Sequence, residues 1–313
     1  MKILHLDKNH EFLVKELKNI GHENLEAYNL AIDEIKSVID QFDGIVVRSR
    51  FKIDSDLLKN GRKIKFIARV GSGLENIDIR YLKKRGIKLI SAPEGNSNAV
   101  GEHAVGLILS LLNKLNLAND SVKNKLWSRE KFRGHEIENK TIGIIGYGNT
   151  GQSLAKKLAG FNVKEIIFYD IIKKPTDKIA RQVSIEELQK KTNILSIHTP
   201  ETKLTIGMIN KEFIERMKNQ FWLINTARGS AVNTKDIIDG LNNKKVLGAA
   251  LDVLEYEKKS FENTFDNKVD QNFLDLIKNE KIILSPHIAG WTFESHLKLA
   301  KIIVEKIQKD FPV

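Results

Sequence analysis

Short runs of β-branched and other apolar residues recur along the chain, separated by stretches with apolar residues three and four apart. In the first third this pattern predicts strands at Lys2–Leu6, Gly44–Arg48, Ile64–Val70 and Ile87–Ser91, and a helix over Glu11–Ile20 that stops at Gly21. A long helix over 98–119 follows, carrying Val100, Ala104, Leu107, Ile108, Leu111 and Leu115. A second series opens at Thr141. Its predicted strands are Ile142–Ile145, Glu165–Tyr169, Ile194–His198, Trp222–Asn225, Gly248–Leu251 and Ile282–Leu284, with amphipathic Gln152–Ala159 and Ile185–Lys190 between them. After Pro286 the pattern is helical again to about Lys309. Apolar runs alternating with helices imply parallel sheets covered on both faces, hence an α/β fold.

Length and composition narrow the class. At roughly 150 residues per domain, 313 residues suggest two domains. Hydrophobic residues at 41% and charged residues at 29% fit a soluble globular chain. The absence of cysteine excludes a disulfide scaffold, a thiolate nucleophile, a Cys-ligated zinc and an iron–sulfur cluster, and no metal site is expected. The start has no apolar signal-like region, and the apolar run Ala104–Leu112 is too short to span a bilayer, so a cytoplasmic location is expected. The net charge of +11 comes from 40 Lys and only 11 Arg. The Lys are scattered and accompanied by 26 Asn, which reads as compositional bias on solvated faces rather than a nucleic-acid or membrane surface. Each Arg therefore carries more information.

The sharpest local signal is Gly146-Tyr147-Gly148-Asn149-Thr150-Gly151, which follows a predicted strand and opens a predicted helix. Gly146 permits the tight turn, Gly148 admits a pyrophosphate to the backbone, and Gly151 lets helix and strand pack closely. The unpaired N–H groups of the helix start then face the anion. Asp170 ends the next predicted strand 19 residues after Gly151, where a carboxylate accepts from ribose hydroxyls and repels a 2′-phosphate. The expected cofactor is NAD.

Ligands of such folds lie at the carboxyl ends of strands. Those ends carry Thr199-Pro200, Thr226-Ala227-Arg228-Gly229, Asp252 with Glu257 just beyond, and Pro286-His287. An Arg can clamp a carboxylate and polarise a carbonyl. A His can exchange a hydroxyl proton, and a neighbouring carboxylate favours its charged form. This set suits hydride transfer to or from a 2-hydroxy or 2-oxo acid. A single His after a strand is often structural and Asp252 could be a helix cap, but Arg228 at a strand end is harder to explain as scaffold.

The sequence resembles the D-isomer-specific 2-hydroxyacid dehydrogenase family over nearly its whole length. The resemblance rests on Val47-Arg48-Ser49, the run from Arg69 to Asp78, the run from Ala92 to Ala104, the Gly146–Gly151 loop, His198-Thr199-Pro200, Asn225-Thr226-Ala227-Arg228-Gly229, Ala250-Leu251-Asp252-Val253 and Ser285-Pro286-His287. It implies Arg228, Glu257 and His287 as the catalytic set. It implies cofactor contacts from the glycine loop, Asp170, His198, Thr199, Pro200, Thr226, Ala227 and Arg228, and from Asp252, His287, Ala289 and Gly290, with Asp252 on the cofactor carboxamide.

The first half is most similar to the D-3-phosphoglycerate dehydrogenases. That similarity implies Arg48 and Arg69 at a substrate phosphate, with Gly71, Ser72, Gly73 and Asn96 near the carboxylate. Arg129 and Arg133 match a segment that can reach a partner subunit's site. The implied architecture is two doubly wound parallel-sheet domains. A Rossmann-like NAD domain, 98–291, is inserted into a flavodoxin-like substrate domain, 1–97 and 292–313. The implied assembly is a homodimer through the long helix.

Two departures stand out. With Val313 as the last residue, the C-terminal serine-sensing domain of long-form enzymes is not expected, and Lys258 stands where the family commonly has Pro after the catalytic Glu, opening an insertion-like segment, Lys258 to Lys268, that would be expected to alter the loop of Glu257. Trp291 stands where many relatives are smaller, either narrowing the pocket or packing. The expected activity is NAD-dependent oxidation of a D-2-hydroxy acid, 3-phosphoglycerate first. Glyoxylate or hydroxypyruvate reduction, D-lactate dehydrogenation and a non-enzymatic NAD-sensing corepressor role remain as alternatives.

Overall fold

The computed structural model describes residues 1–174, 178–257 and 270–312. They form two compact units: residues 1–96 with 291–312, and residues 97–257 with 270–290. Each is a wholly parallel sheet covered by helices, the doubly wound α/β architecture expected from the alternating pattern.

The first unit contains β1 (Lys2–His5), β2 (Glu23–Glu26), β3 (Gly44–Val47), β4 (Phe66–Arg69) and β5 (Lys88–Ser91), in the order β2-β1-β3-β4-β5. Side chains alternate between its faces. Leu4, Ile45, Val47 and Ile67 point into one core, and Ile3, Val46, Phe66 and Ala68 into the other. The helix Phe293–Asp310 buries Leu299, Ala300, Ile303, Val304 and Ile307 in the second of these cores. Thr292 caps its start by accepting from the Ser295 N–H. The order reverses between β1 and β3, so the loop after β3, which begins with Arg48, opens at the switch point where ligands of such sheets bind. β2 has no apolar signature and is held by backbone pairing to β1 and by the contact of the His5 ring with Asn24 Oδ1 at 2.8 Å.

The second unit contains β6 (Thr141–Ile145), β7 (Glu165–Tyr169), β8 (Arg181–Gln182), β9 (Ile194–Ile197), β10 (Phe221–Asn225), β11 (Val246–Leu251) and β12 (Ile282–Leu284), in the order β12-β11-β10-β9-β6-β7-β8. The switch point lies between β6 and β9. The glycine loop follows β6 and His198 follows β9, so both stand there.

The predicted helix over 98–119 is two helices, Ser97–Leu112 and Leu115–Lys123. The cause is an incoming segment. The His135 N–H donates to the Leu112 carbonyl at 3.0 Å, and Gly134 packs so tightly that a Cβ would lie 2.9 Å from that oxygen. Lys114 takes the left-handed conformation at φ 52°. Ala104, Leu107, Ile108, Leu111 and Leu112 are absorbed by the unit's own core, whereas Leu115 is 51% exposed. The apolar face of the first helix, through which a dimer is expected, is therefore mostly internal. Among the described residues no helix is long and apolar enough to cross a membrane.

Candidate active site

The three glycines of the loop after β6 differ in what surrounds them. Gly146 sits at φ 90°, and a Cβ there would lie 2.5 Å from the His198 carbonyl oxygen. At Gly151 a Cβ would lie 2.3 Å from the Gly146 oxygen. Gly148 has open space where its side chain would be, and it begins the helix Asn149–Leu158 without any side-chain cap. Backbone N–H groups at that helix start are thus exposed to an anion, which is what a pyrophosphate needs.

Asp170 braces this loop. Its carboxylate accepts the Tyr147 N–H at 2.9 Å and the Ile172 N–H at 2.9 Å. The Tyr147 ring is buried and stacks on Phe168 with centroids 3.9 Å apart. Below the loop, the His198 ring meets Ser196 Oγ at 2.8 Å and Thr150 Oγ1 at 3.2 Å. Burial pushes the His198 imidazole down to about 4, so it is neutral and ties β9 to the cradle.

The residues expected to carry the chemistry stand on loops after β10, β11 and β12. Asn225, fully buried at the end of β10, accepts the Ala227 N–H at 3.1 Å and donates to the Arg228 carbonyl at 3.0 Å. This fixes the turn that carries Arg228, whose Nη1 donates to the Ala227 carbonyl at 2.6 Å. Gly229 then lies flat on the next loop, where a Cβ would stand 1.9 Å from the Leu254 carbonyl carbon. That loop leads to Glu257. One Glu257 oxygen accepts the Leu254 N–H at 2.6 Å and the other meets His287 Nδ1 at 2.7 Å.

His287 occupies the left-handed region at φ 55°, a costly conformation for a residue with a side chain. Its N–H donates to the Asp252 carbonyl at 2.7 Å. The Asp252 carboxylate is 1% exposed and accepts the Ser285 hydroxyl at 2.6 Å and the N–H groups of Ile288 and Ala289 at 2.9 and 2.8 Å. Burial would push this carboxyl up, but His103, Ser285, Ala289 and Ile288 outweigh it and hold it below the usual carboxylate range. Both Asp252 oxygens are thus engaged with their own unit.

The two arginines expected at a substrate phosphate lie on the first unit. Arg48 follows β3, and its backbone N–H donates to Asp7 at 2.6 Å. Its guanidinium sits 4.7 Å over the Trp291 ring, which in turn stacks on His296 at 6.0 Å. Arg69 differs: it is 6% exposed, and Nη1 donates to the Val70 carbonyl at 2.9 Å. The Ser72 hydroxyl donates to Asn96 Oδ1 at 2.7 Å. Of the unusual segment Lys258 to Lys268, nothing falls within the described residues. Glu257, just before it, does, and stands on His287. Sequence reasoning missed Asp7, which follows β1, and the partnership of His103 with Ser285.

The model of the NAD-binding domain of D-isomer-specific 2-hydroxyacid dehydrogenases matches residues 105–289. The chain belongs to this family of NAD-dependent oxidoreductases. It is 34% identical to the hydroxypyruvate reductase of Thermotoga maritima over 96% of this chain and 93% of that protein. It is 33% identical to the D-3-phosphoglycerate dehydrogenase of Archaeoglobus fulgidus, covering 98% of this chain but 56% of that protein. The crystal structure of D-lactate dehydrogenase from Aquifex aeolicus, complexed with NAD and lactic acid, superposes with a TM-score of 0.83 at 27% identity, covering 99% of this chain and 95% of that one. The Gly146–Gly151 loop and Asp170 lie within the matched span, and the open space at Gly148 leaves room for a pyrophosphate.

Proposed function

We propose that this dehydrogenase interconverts 3-phosphoglycerate and 3-phosphohydroxypyruvate, a reaction of serine biosynthesis. The observation that carries the chemistry is the 2.7 Å contact between His287 Nδ1 and Glu257. A carboxylate at Nδ1 makes that nitrogen the proton-bearing one, which assigns proton exchange to Nε2. In the oxidative direction Nε2 takes the hydroxyl proton as the carbinol carbon loses its hydride. Bound NAD supplies the hydride acceptor. Arg228 holds the substrate carboxylate and polarises the carbonyl that forms. Asp170 faces the ribose, and Gly148 and the helix start behind it take the pyrophosphate. Asp252 sets the His287 loop.

Arg48 supports the choice of a phosphorylated acid. Its guanidinium lies at the switch point of its sheet with one face covered by Trp291, which leaves its planar edge for a dianion. One observation favours a second reading. Arg69 spends a guanidinium donor on its own backbone and is buried, which favours a smaller 2-oxo acid such as hydroxypyruvate or glyoxylate. A second copy of the chain is the proposed partner, supported by exposed Leu115, Val122, Leu126 and Trp127.

The test is a panel of 2-hydroxy and 2-oxo acids with NAD or NADH, followed by cofactor absorbance. A large preference for 3-phosphoglycerate over D-glycerate is expected. Equal use of the two would reject the phosphorylated substrate and bring hydroxypyruvate or glyoxylate reduction forward.

A further inference from the structure

His103 belongs to the helix Ser97–Leu112, far in sequence from every residue assigned above to the chemistry, yet its ring reaches the loop of His287. Its Nε2 lies 3.1 Å from Ser285 Oγ and 3.5 Å from Asp252 Oδ1. Proton counting fixes the direction of this contact. The Ser285 hydroxyl donates its one proton to the Asp252 carboxylate at 2.6 Å, so its oxygen can only accept from His103. The chain therefore runs from His103 Nε2–H to Ser285 O–H to Asp252.

Asp252 in turn receives the N–H groups of Ile288 and Ala289, and its carbonyl receives the N–H of His287. The loop is wrapped around one buried carboxylate, and at its centre His287 is held in a left-handed conformation it would not choose. Such a conformation persists only where the surroundings over-determine it. His103 is the outermost of those constraints, 24% exposed, and it anchors the loop to a helix packed in the unit's core.

The geometry points to His103 as a positioning residue that, through Ser285 and Asp252, holds His287 in register with Glu257. Among the described residues, the charged and titratable groups in contact with this loop include Glu257 on the β11 loop, Asp252 at the end of β11, and His103 on the helix. The role rests on the reading of His287 as the acid–base residue, but the loop geometry itself does not.

The test compares His103→Leu, which keeps bulk and loses the donor, with His103→Gln, whose amide can still donate to Ser285. A shift of about 1 Å in a reacting group can cost on the order of 100-fold. His103→Leu should therefore lower kcat about 10- to 100-fold. His103→Gln should stay within about threefold of the parent protein. A second readout needs no turnover: ring-nitrogen NMR of His287, assigned against His287→Ala. The parent protein and His103→Gln should show one tautomer, with the proton on Nδ1, and His103→Leu should show a mixture.

If His103→Leu leaves kcat and the His287 signals unchanged, the inference is overturned. Equal losses in the Leu and Gln variants, following their melting temperatures, would also overturn it, since packing alone would then explain them. Full activity in His287→Ala would reject the acid–base reading and with it the catalytic part of the role, whereas unaltered His287 signals in His103→Leu would reject the coupling of His103 to the loop itself.

Discussion

Gly229 and Leu254 lie in contact through their backbones, close enough that a single methyl group at position 229 would overlap the Leu254 peptide. The contact holds the turn of Arg228 against the loop that carries Glu257. Gly229→Ala must push these loops apart. We expect a loss of kcat/KM of about 100-fold, the usual scale for a displacement near 1 Å, with the folded state retained. Unchanged kinetics in that variant would show that the loops move without consequence.

His287→Ala should lower kcat by roughly two to four orders of magnitude, the normal range for loss of general acid–base catalysis. Glu257→Gln should also lower kcat, by about 10- to 100-fold, because the amide no longer fixes the proton on His287 Nδ1 and the ring loses its orientation. Steady-state kinetics on both proteins measure this. A Glu257→Gln variant as active as the parent would separate the pair functionally despite their contact.

Trp291 covers one face of the Arg48 guanidinium. A contact of this kind is worth about 2- to 30-fold in binding. Trp291→Ala should raise KM for 3-phosphoglycerate by that factor and leave D-glycerate kinetics unchanged, with Trp291→Phe recovering most of the loss. Equal effects on the two acids would assign Trp291 to packing alone.

Acid should destabilise the protein through its buried histidines. Burial lowers the pKa of His5, His22 and His198, the last to about 4. Below about pH 6.5 the unfolded chain binds protons that the folded chain refuses, so stability falls as pH drops. For His198 the loss continues to about pH 4 and amounts to roughly 3 kcal/mol. Melting temperatures from pH 7.5 downward should fall less steeply in His198→Asn, which cannot take up the proton. Parallel curves would show that His198 is not what titrates.

Asp170→Ala should weaken NAD binding and relax the preference against NADP, since the carboxylate that repels a 2′-phosphate is gone. Isothermal titration with both cofactors measures this. A parent protein that binds NADP as tightly as NAD would contradict the role given to Asp170.

The sheets were legible because fully buried parallel strands are continuous apolar runs, as at Gly44–Val47 and Phe221–Asn225. The glycine loop was legible because its spacing is tied to a strand before it and a helix after it. β2 was not: Glu23–Glu26 is polar and forms an edge strand through its backbone. The end of the helix at Leu112 was also hidden, because the group that caps it arrives from His135. His103 gave no local sign of its task, since Ser285 lies 182 residues away. Arg69 looked like Arg48 in sequence, each ending a short apolar strand. Only the fold distinguishes a guanidinium turned onto its own backbone from one lying on an indole.

Asp170 has a further consequence for how the cofactor is received. Its two hydrogen bonds to the Tyr147 and Ile172 N–H groups are made within the protein itself, and the Tyr147 ring is already locked on Phe168. The cradle is thus preorganised. Little conformational entropy is left to be lost when a dinucleotide arrives, so affinity is not spent on ordering the loop. Amide exchange at Gly146 and Tyr147, whose N–H groups already meet the Tyr169 carbonyl and Asp170, should be slow without cofactor and change little with it.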